Sequence, residues 1–260
     1  MNFDAFIAEV CDIAKQAGQE IMKIYNASEG IEIEKKDDNS PLTKADKASN
    51  AVICDRLQKM AVPIPIISEE NKLVEYNIRK QYPYAWMVDP LDGTKEFIKR
   101  NGEFTVNIAL IKGGHSIAGV VYIPCTDEMY YAIKGMGAFK IAGGEKRQLS
   151  CASFSMQDKG LKVVCSRSHL NDETQAFMHQ LNEPEAVSKG SSLKFLILAE
   201  GKAHLYPRLA PTMEWDTAAA QIILEEAGGS VLKADTKEVL NYNKEDLLNP
   251  FFVASAKVIA

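Results

Sequence analysis

The stretch Tyr84-Ala85-Trp86-Met87-Val88-Asp89-Pro90-Leu91-Asp92-Gly93-Thr94 joins an apolar run to a turn dense in chemistry. Its first five residues read as a buried strand. A strand ending in Asp-Pro sets a carboxylate at its C-terminal lip, and Pro90 stiffens the turn that follows. Gly93 and Thr94 then begin a new segment whose backbone N–H groups can face an anion. One short turn therefore offers carboxylate oxygens for a hard cation beside N–H groups for a phosphate, which points to metal-dependent phosphate chemistry.

Outward from that turn, the pattern alternates between helix and strand. Phe3, Phe6, Val10, Ile13, Ala17, Ile21 and Ile24 recur at helical spacing, and Ile31 to Glu34 alternates like a strand. Lys35 to Asn39 is polar and reads as a loop. Asp46 to Met60 is helical again, and Ile66-Ile67 is a short strand ending at Ser68-Glu69-Glu70. From Phe104 to Phe139 the chain reads as a β-meander. Gly143-Gly144 and the polar stretch to Lys159 mark a boundary, giving halves of 1–150 and 151–260. The second half alternates: strand Leu161–Cys165, helix Asp172–Leu181, helix Ser191–Glu200 and strand Ala203–Tyr206. A helix over Asp216–Ala227 follows, closed by Gly228-Gly229, and then strands at Val231-Leu232 and Phe251–Val253. The fold class expected is α+β, layered, with a sheet in each half.

At 260 residues the chain suits one large domain or two small ones sharing an interface. A net charge of −5 argues against a nucleic-acid polymer as partner, although a metal and a few local cations can still draw a small anion into one cleft. The five cysteines contain no CxxC pair, which fits free thiols in a reducing cytoplasm. Asp4 and Glu9 interrupt the first apolar stretch, unlike a signal peptide, and no run reaches the ~18 apolar residues of a membrane span. The expected location is cytoplasmic, at most peripheral to a membrane. Nothing in the sequence specifies an oligomeric state.

The remaining carboxylates stand at two other element ends. Glu69 and Glu70 close a strand as Asp89 does, and Asp216 precedes Ala218-Ala219-Ala220 as a good N-cap. Taken singly, Asp216 reads as a cap, Glu69-Glu70 as a solvated loop and Asp89 with Asp92 as an Asx turn. Taken together, three element ends can converge on one cleft. Carboxylates without His or Cys partners suit Mg²⁺ better than zinc.

Four pieces, in order, carry a resemblance: Pro41-Leu42-Thr43-Lys44-Ala45-Asp46, Ser68-Glu69-Glu70, Asp89 to Thr94, and Trp215-Asp216-Thr217-Ala218-Ala219. The set resembles the signature of the inositol monophosphatase superfamily over nearly the whole chain, and Asp92 to Asn107 resembles its 3′(2′),5′-bisphosphate nucleotidase branch. The resemblance implies an αβαβα sugar-phosphatase-like fold and two or three Mg²⁺ ions held by Glu69, Asp89, Asp92, Asp216 and the Leu91 carbonyl. It implies that Asp46 and Thr94 orient and deprotonate the attacking water, and that Gly93 and Thr94 cradle the phosphate. Lithium inhibition is a family trait.

The second half selects the leaving group. His169 follows a strand, Ser191 and Lys194 open a helix, and Arg208 follows another strand. Each has a bland reading: a surface histidine, an N-cap, a solvated ammonium, a salt-bridge partner. The resemblance matches all four to positions that hold the adenosine and 5′-phosphate of a nucleotide bisphosphate, beside Glu69, Thr94 and Asp216. The activity it implies is hydrolysis of 3′-phosphoadenosine 5′-phosphate to AMP and phosphate, a by-product of sulfate assimilation being cleared. The rival readings are an inositol or sugar phosphatase with the same machinery, and a catalytically dead phosphate-binding regulator. The second would be marked by a missing carboxylate or a lost Thr94, and every expected group is present.

Overall fold

The computed structural model of the chain describes residues 3–27, 33–35, 41–165 and 171–259. In the first half the elements are α1 (Phe3–Tyr25), β1 (Ile33–Lys35), β2 (Pro41–Thr43), α2 (Lys44–Gln58), β3 (Ile66–Ser68), α3 (Tyr76–Arg79), β4 (Tyr84–Asp92), α4 (Thr94–Ile98), β5 (Thr105–Lys112), β6 (His115–Ile123), β7 (Glu128–Ile133), β8 (Ala138–Ala142) and β9 (Glu145–Gln148). The second half contains β10 (Ser153–Phe154), β11 (Lys162–Cys165), α5 (Asp172–Met178), β12 (Glu185–Ser188), α6 (Leu193–Ala199), β13 (Leu205–Arg208), a 3₁₀ turn (Glu214–Asp216), α7 (Ala218–Glu226), β14 (Ser230–Lys233), β15 (Phe252–Ser255) and β16 (Lys257–Val258).

Strands β3 to β9 form a seven-stranded sheet in chain order, antiparallel except for the β3–β4 pair. The expected meander thus runs on beyond Phe139, and Gly143-Gly144 turn its last hairpin rather than leaving the sheet. A five-stranded mixed sheet has the order β12-β11-β13-β15-β14. The pleat sorts β4 by face: Trp86 and Val88 pack with Ile13, Ala17 and Ile53 of α1 and α2, whereas Ala85 and Met87 pack with α6 and α7. Helices α6 and α7 fill the space between the sheets, and α5 covers the far face of the smaller one. The layering is αβαβα, as expected.

One contact fixes how the middle layer sits. A Cβ on Gly119 of β6 would come within 2.4 Å of the Ala219 carbonyl oxygen of α7, so only glycine lets helix backbone rest directly on the sheet.

The lip of β4 differs in detail from the sequence reading. The strand continues through Pro90 to Asp92, with a register shift against β5 between Asp89 and Asp92. That irregularity is what lets two carboxylates of one strand end approach the same space. All five cysteines are unpaired. Among the described residues no helix is long and apolar enough to cross a membrane.

Candidate metal and phosphate site

Asp89, Asp92 and Asp216 bring one carboxylate oxygen each to within 4.8 Å of one another. Asp89 and Asp92 come from the lip of β4, and Asp216 comes from the 3₁₀ turn that leads into α7. Asp216 is not the N-cap of α7, the role its position in sequence suggested; Thr217 occupies that place. Its Oδ2 accepts instead from the Met213 N–H over 2.9 Å, closing the 3₁₀ turn behind it and holding the carboxylate at the cleft. Asp89 makes the Asx turn as well, accepting from the Leu91 N–H over 3.0 Å. The Asx turn and a place in the carboxylate cluster therefore coexist at Asp89. Ser49 Oγ donates to the Pro90 carbonyl over 2.6 Å and pins the same turn to α2.

The electrostatics mark the cluster as strained without a counter-ion. Burial pushes Asp89 well above the usual carboxylate range, and the charges of Glu69, Asp92 and Asp216 add to it. Asp216 is pushed up to about 8 by burial and then by Asp92. Glu69 follows β3, its N–H bonded to the Val88 carbonyl over 3.1 Å, and its side chain hydrogen-bonds Asp89. Hard oxygen donors, Asp89 buried and Asp92 and Asp216 half-buried, held together and repelling one another, fit a divalent cation of the Mg²⁺ type.

Asp46 and Thr94 meet beside this cluster. The Thr94 hydroxyl donates to Asp46 Oδ1 over 3.1 Å. Gly93, which caps α4 from the left-handed region at φ 98°, lies so close to Ser191 and Glu103 that a Cβ would meet the Glu103 carbonyl oxygen at 3.0 Å.

A pocket of about 100 Å³ adjoins the carboxylates, lined by Asp92, Gly93, Ser191, Lys194, Arg208 and Asp216 among others. Lys194 Nζ donates to the Ser191 carbonyl over 2.6 Å and stands 5.6 Å from the Tyr206 ring centroid. Burial pulls its ammonium below the ordinary value, Asp92 opposing and Arg208 reinforcing that pull. Arg208 Nη2 donates to the Pro211 carbonyl over 2.6 Å, while its buried Nε has no partner among the described residues. Ser191 does not cap α6; Ser192 holds that position, and the Ser191 hydroxyl donates to Asp92 Oδ2 over 2.6 Å. His169 lies outside the described residues. A larger cavity, about 680 Å³, lies elsewhere, between α1 and the big sheet; its walls are mostly apolar and its one carboxylate is Glu9.

The sequence reading passed over Thr105, Asn107 and Ser192. All three are buried, and all three bond to Asp92 or to the serines that hold it. Their signal was present: Thr105 and Asn107 are polar residues two apart on one face of a strand that is otherwise apolar up to Ile111.

A model of the inositol monophosphatase family matches residues 3–260. The chain is 44% identical over 246 residues to the 3′(2′),5′-bisphosphate nucleotidase CysQ of Salmonella typhimurium, covering 95% of this chain and 98% of that protein. It is 41% identical over 251 residues to the CysQ of Buchnera aphidicola, covering 95% and 92%. The crystal structure of CysQ from Bacteroides thetaiotaomicron superposes with a TM-score of 0.86 at 41% identity, covering 98% of each chain.

Proposed function

The chain belongs to the inositol monophosphatase family, and we infer that it works as a metal-dependent 3′(2′),5′-bisphosphate nucleotidase, hydrolysing 3′-phosphoadenosine 5′-phosphate to AMP and phosphate. The observation that carries this is the meeting of Asp89, Asp92 and Asp216 beside a pocket containing two cationic side chains, Lys194 and Arg208.

Glu69, Asp89, Asp92, Asp216 and the Leu91 carbonyl are the groups that would hold Mg²⁺. The four carboxylates balance the charge of two such ions, and substrate phosphate adds ligands for a third. When bound, the ions neutralise the carboxylates, polarise the phosphoryl oxygens and acidify water. The chain's own groups do the rest. With its proton directed at Asp46, the Thr94 hydroxyl keeps its lone pairs for a water molecule, and Asp46 takes up the proton that this water releases as it attacks phosphorus. The N–H groups of Gly93 and Thr94 steady the phosphoryl oxygens. Lys194 and Arg208 supply positive charge for the 5′-phosphate. Ser191 lines the pocket that would receive the nucleoside, and the part given to His169 rests on the resemblance alone.

The test is kcat/KM with Mg²⁺ for 3′-phosphoadenosine 5′-phosphate, 3′-AMP and inositol 1-phosphate. The bisphosphate is expected to lead by about a hundredfold or more, from two charge-assisted contacts of roughly 1.5–3 kcal/mol each. A protein that turns over inositol 1-phosphate best is a sugar-phosphate phosphatase and not a nucleotidase.

A further inference from the structure

Glu103, Thr105 and Asn107 stand on alternate residues leading into and along β5. Each reaches a successive residue of the turn that precedes α6. The Gly190 N–H donates to Glu103 Oε2 over 2.9 Å. Thr105 Oγ1 lies 2.7 Å from Ser191 Oγ. Asn107 Nδ2 donates to Ser192 Oγ over 2.9 Å. Because the Ser191 proton goes to Asp92, Thr105 is the donor to Ser191, sharing its proton with Asn107 Oδ1 at 3.0 Å.

On its other side the same turn touches both parts of the site. Asp92 Oδ2 accepts from Ser191 Oγ, the Ser192 N–H and Ser192 Oγ at 2.6, 2.7 and 2.9 Å. Those donors occupy Oδ2 and leave the role of ligand to Oδ1. The carbonyl of Ser191 accepts from Lys194 over 2.6 Å. Ser191 itself sits at φ 49°, a left-handed conformation that is costly for a non-glycine residue and persists only where neighbours impose it. Thr105 and Asn107 are 0% and 1% exposed, so their polar groups are costly in a strand unless their bonds are made.

We propose that Glu103, Thr105 and Asn107 are positioning residues. By setting the 190–192 turn they fix at once which oxygen of Asp92 faces the carboxylate cluster and where Lys194 stands, so that cation binding and substrate choice share one device. Glu103 does this from outside the site pocket, its carboxylate otherwise bonded to Lys189 at 3.3 Å. What Lys194 grips rests on the nucleotidase reading; the hold on Asp92 does not.

The test uses Thr105→Val, Glu103→Ala and Glu103→Gln in the full chain. Calorimetry gives the Mg²⁺ dissociation constant without substrate, and kcat/KM is taken for 3′-phosphoadenosine 5′-phosphate and 3′-AMP. Thr105→Val is expected to weaken Mg²⁺ binding about tenfold, the equivalent of one buried hydrogen bond. Glu103→Ala should lower the preference for the bisphosphate by about tenfold, while Glu103→Gln, which keeps an acceptor for the Gly190 N–H, stays within about threefold of wild type. If Thr105→Val fails to fold, the partly exposed Glu103→Ala decides alone, by its Mg²⁺ affinity and its preference together. Lower melting temperatures with Mg²⁺ affinity and preference unmoved would make these residues structural only and overturn the proposal. A wild type with no preference for the bisphosphate refutes the nucleotidase reading instead, and the Mg²⁺ measurement then decides this proposal.

Discussion

Asp46 accepts from Thr94 through one carboxylate oxygen and from Thr43 through the other, at 3.1 Å for Oδ1 and at 2.8 and 2.5 Å for Oδ2. The same side chain thus completes the capping box of α2 and accepts from the hydroxyl to which we assign the attacking water. Helix and chemistry are built from one group, so a change at Asp46 disturbs both, whereas a change at Thr94 disturbs only the second.

Thr94→Ala is therefore the cleaner probe of the attacking water. It should lower kcat by about 10²–10³-fold with KM within a few-fold, the mark of a group that acts in the transition state. Steady-state kinetics check it; an unchanged kcat with a raised KM would reduce Thr94 to a phosphate ligand.

Asp89→Asn and Asp92→Asn should abolish turnover, since an amide still makes an Asx turn but is a far weaker ligand for a hard cation. The thermal behaviour should invert with the ion. In chelator, Asp89→Asn removes a buried like charge and should melt higher than wild type. With Mg²⁺ in excess the wild type should gain the larger shift, because only it binds the ion tightly.

Stability should depend on pH in opposite ways at the two ends of the scale. Asp216 titrates at about 8 in the fold against 3.8 for an ordinary Asp. The ion-free fold holds a proton that the unfolded chain releases, so this contribution is full below about pH 4 and is lost as pH rises toward 8. Glu200 behaves conversely. Burial alone would push it up, but hydrogen bonds from Lys140, Lys202 and Tyr130 outweigh that and hold it at about 2. Its contribution is present above about pH 4.5 and is lost on acidification toward 2. Unfolding scans in chelator should show Asp216→Asn flattening the slope between pH 4 and 8, and Glu200→Gln removing part of the acid limb.

Lys194→Ala and Arg208→Ala should slow the bisphosphate by about tenfold or more each and leave 3′-AMP almost untouched, by the loss of one charge-assisted bond to the 5′-phosphate. Equal losses on both substrates would instead assign the two cations to the fold.

Much of this was legible along the chain. Val10, Ile13, Ala17 and Ile21, read at helical spacing, line the buried face of α1, with Phe6 and Ile24 packed half-buried against it; Ile7, which that reading left out, is buried with them. The Asp89–Thr94 turn announced carboxylates at a strand end. What stayed hidden was of two kinds. Strand β9 is exposed at all four residues, and β12 at all but Val187; such polar edges leave no apolar alternation to read. The bonds from Thr105 and Asn107 to Ser191 and Ser192 cross 86 and 85 residues of sequence, and no local pattern joins them. Asp216 was misread as a cap because the intervening 3₁₀ turn, which depends on Met213, resembles a helix start.

The bare contact between Gly119 and the backbone of α7 reaches further than packing. Asp216 stands one residue before Thr217, the cap of that helix, whereas Asp89 and Asp92 belong to the sheet on which the helix rests. The gap between the carboxylates of sheet and helix thus inherits a separation in which the Ala219 carbonyl rests directly on the sheet backbone, with Ile222 packed beside it. Mg²⁺ binds oxygen at about 2.1 Å and Ca²⁺ at about 2.4 Å. If the cluster holds such an ion, its size is gauged at residue 119, which carries no ligand: a single methyl group there would push α7 from the sheet and is expected to shift the preference toward the larger ion.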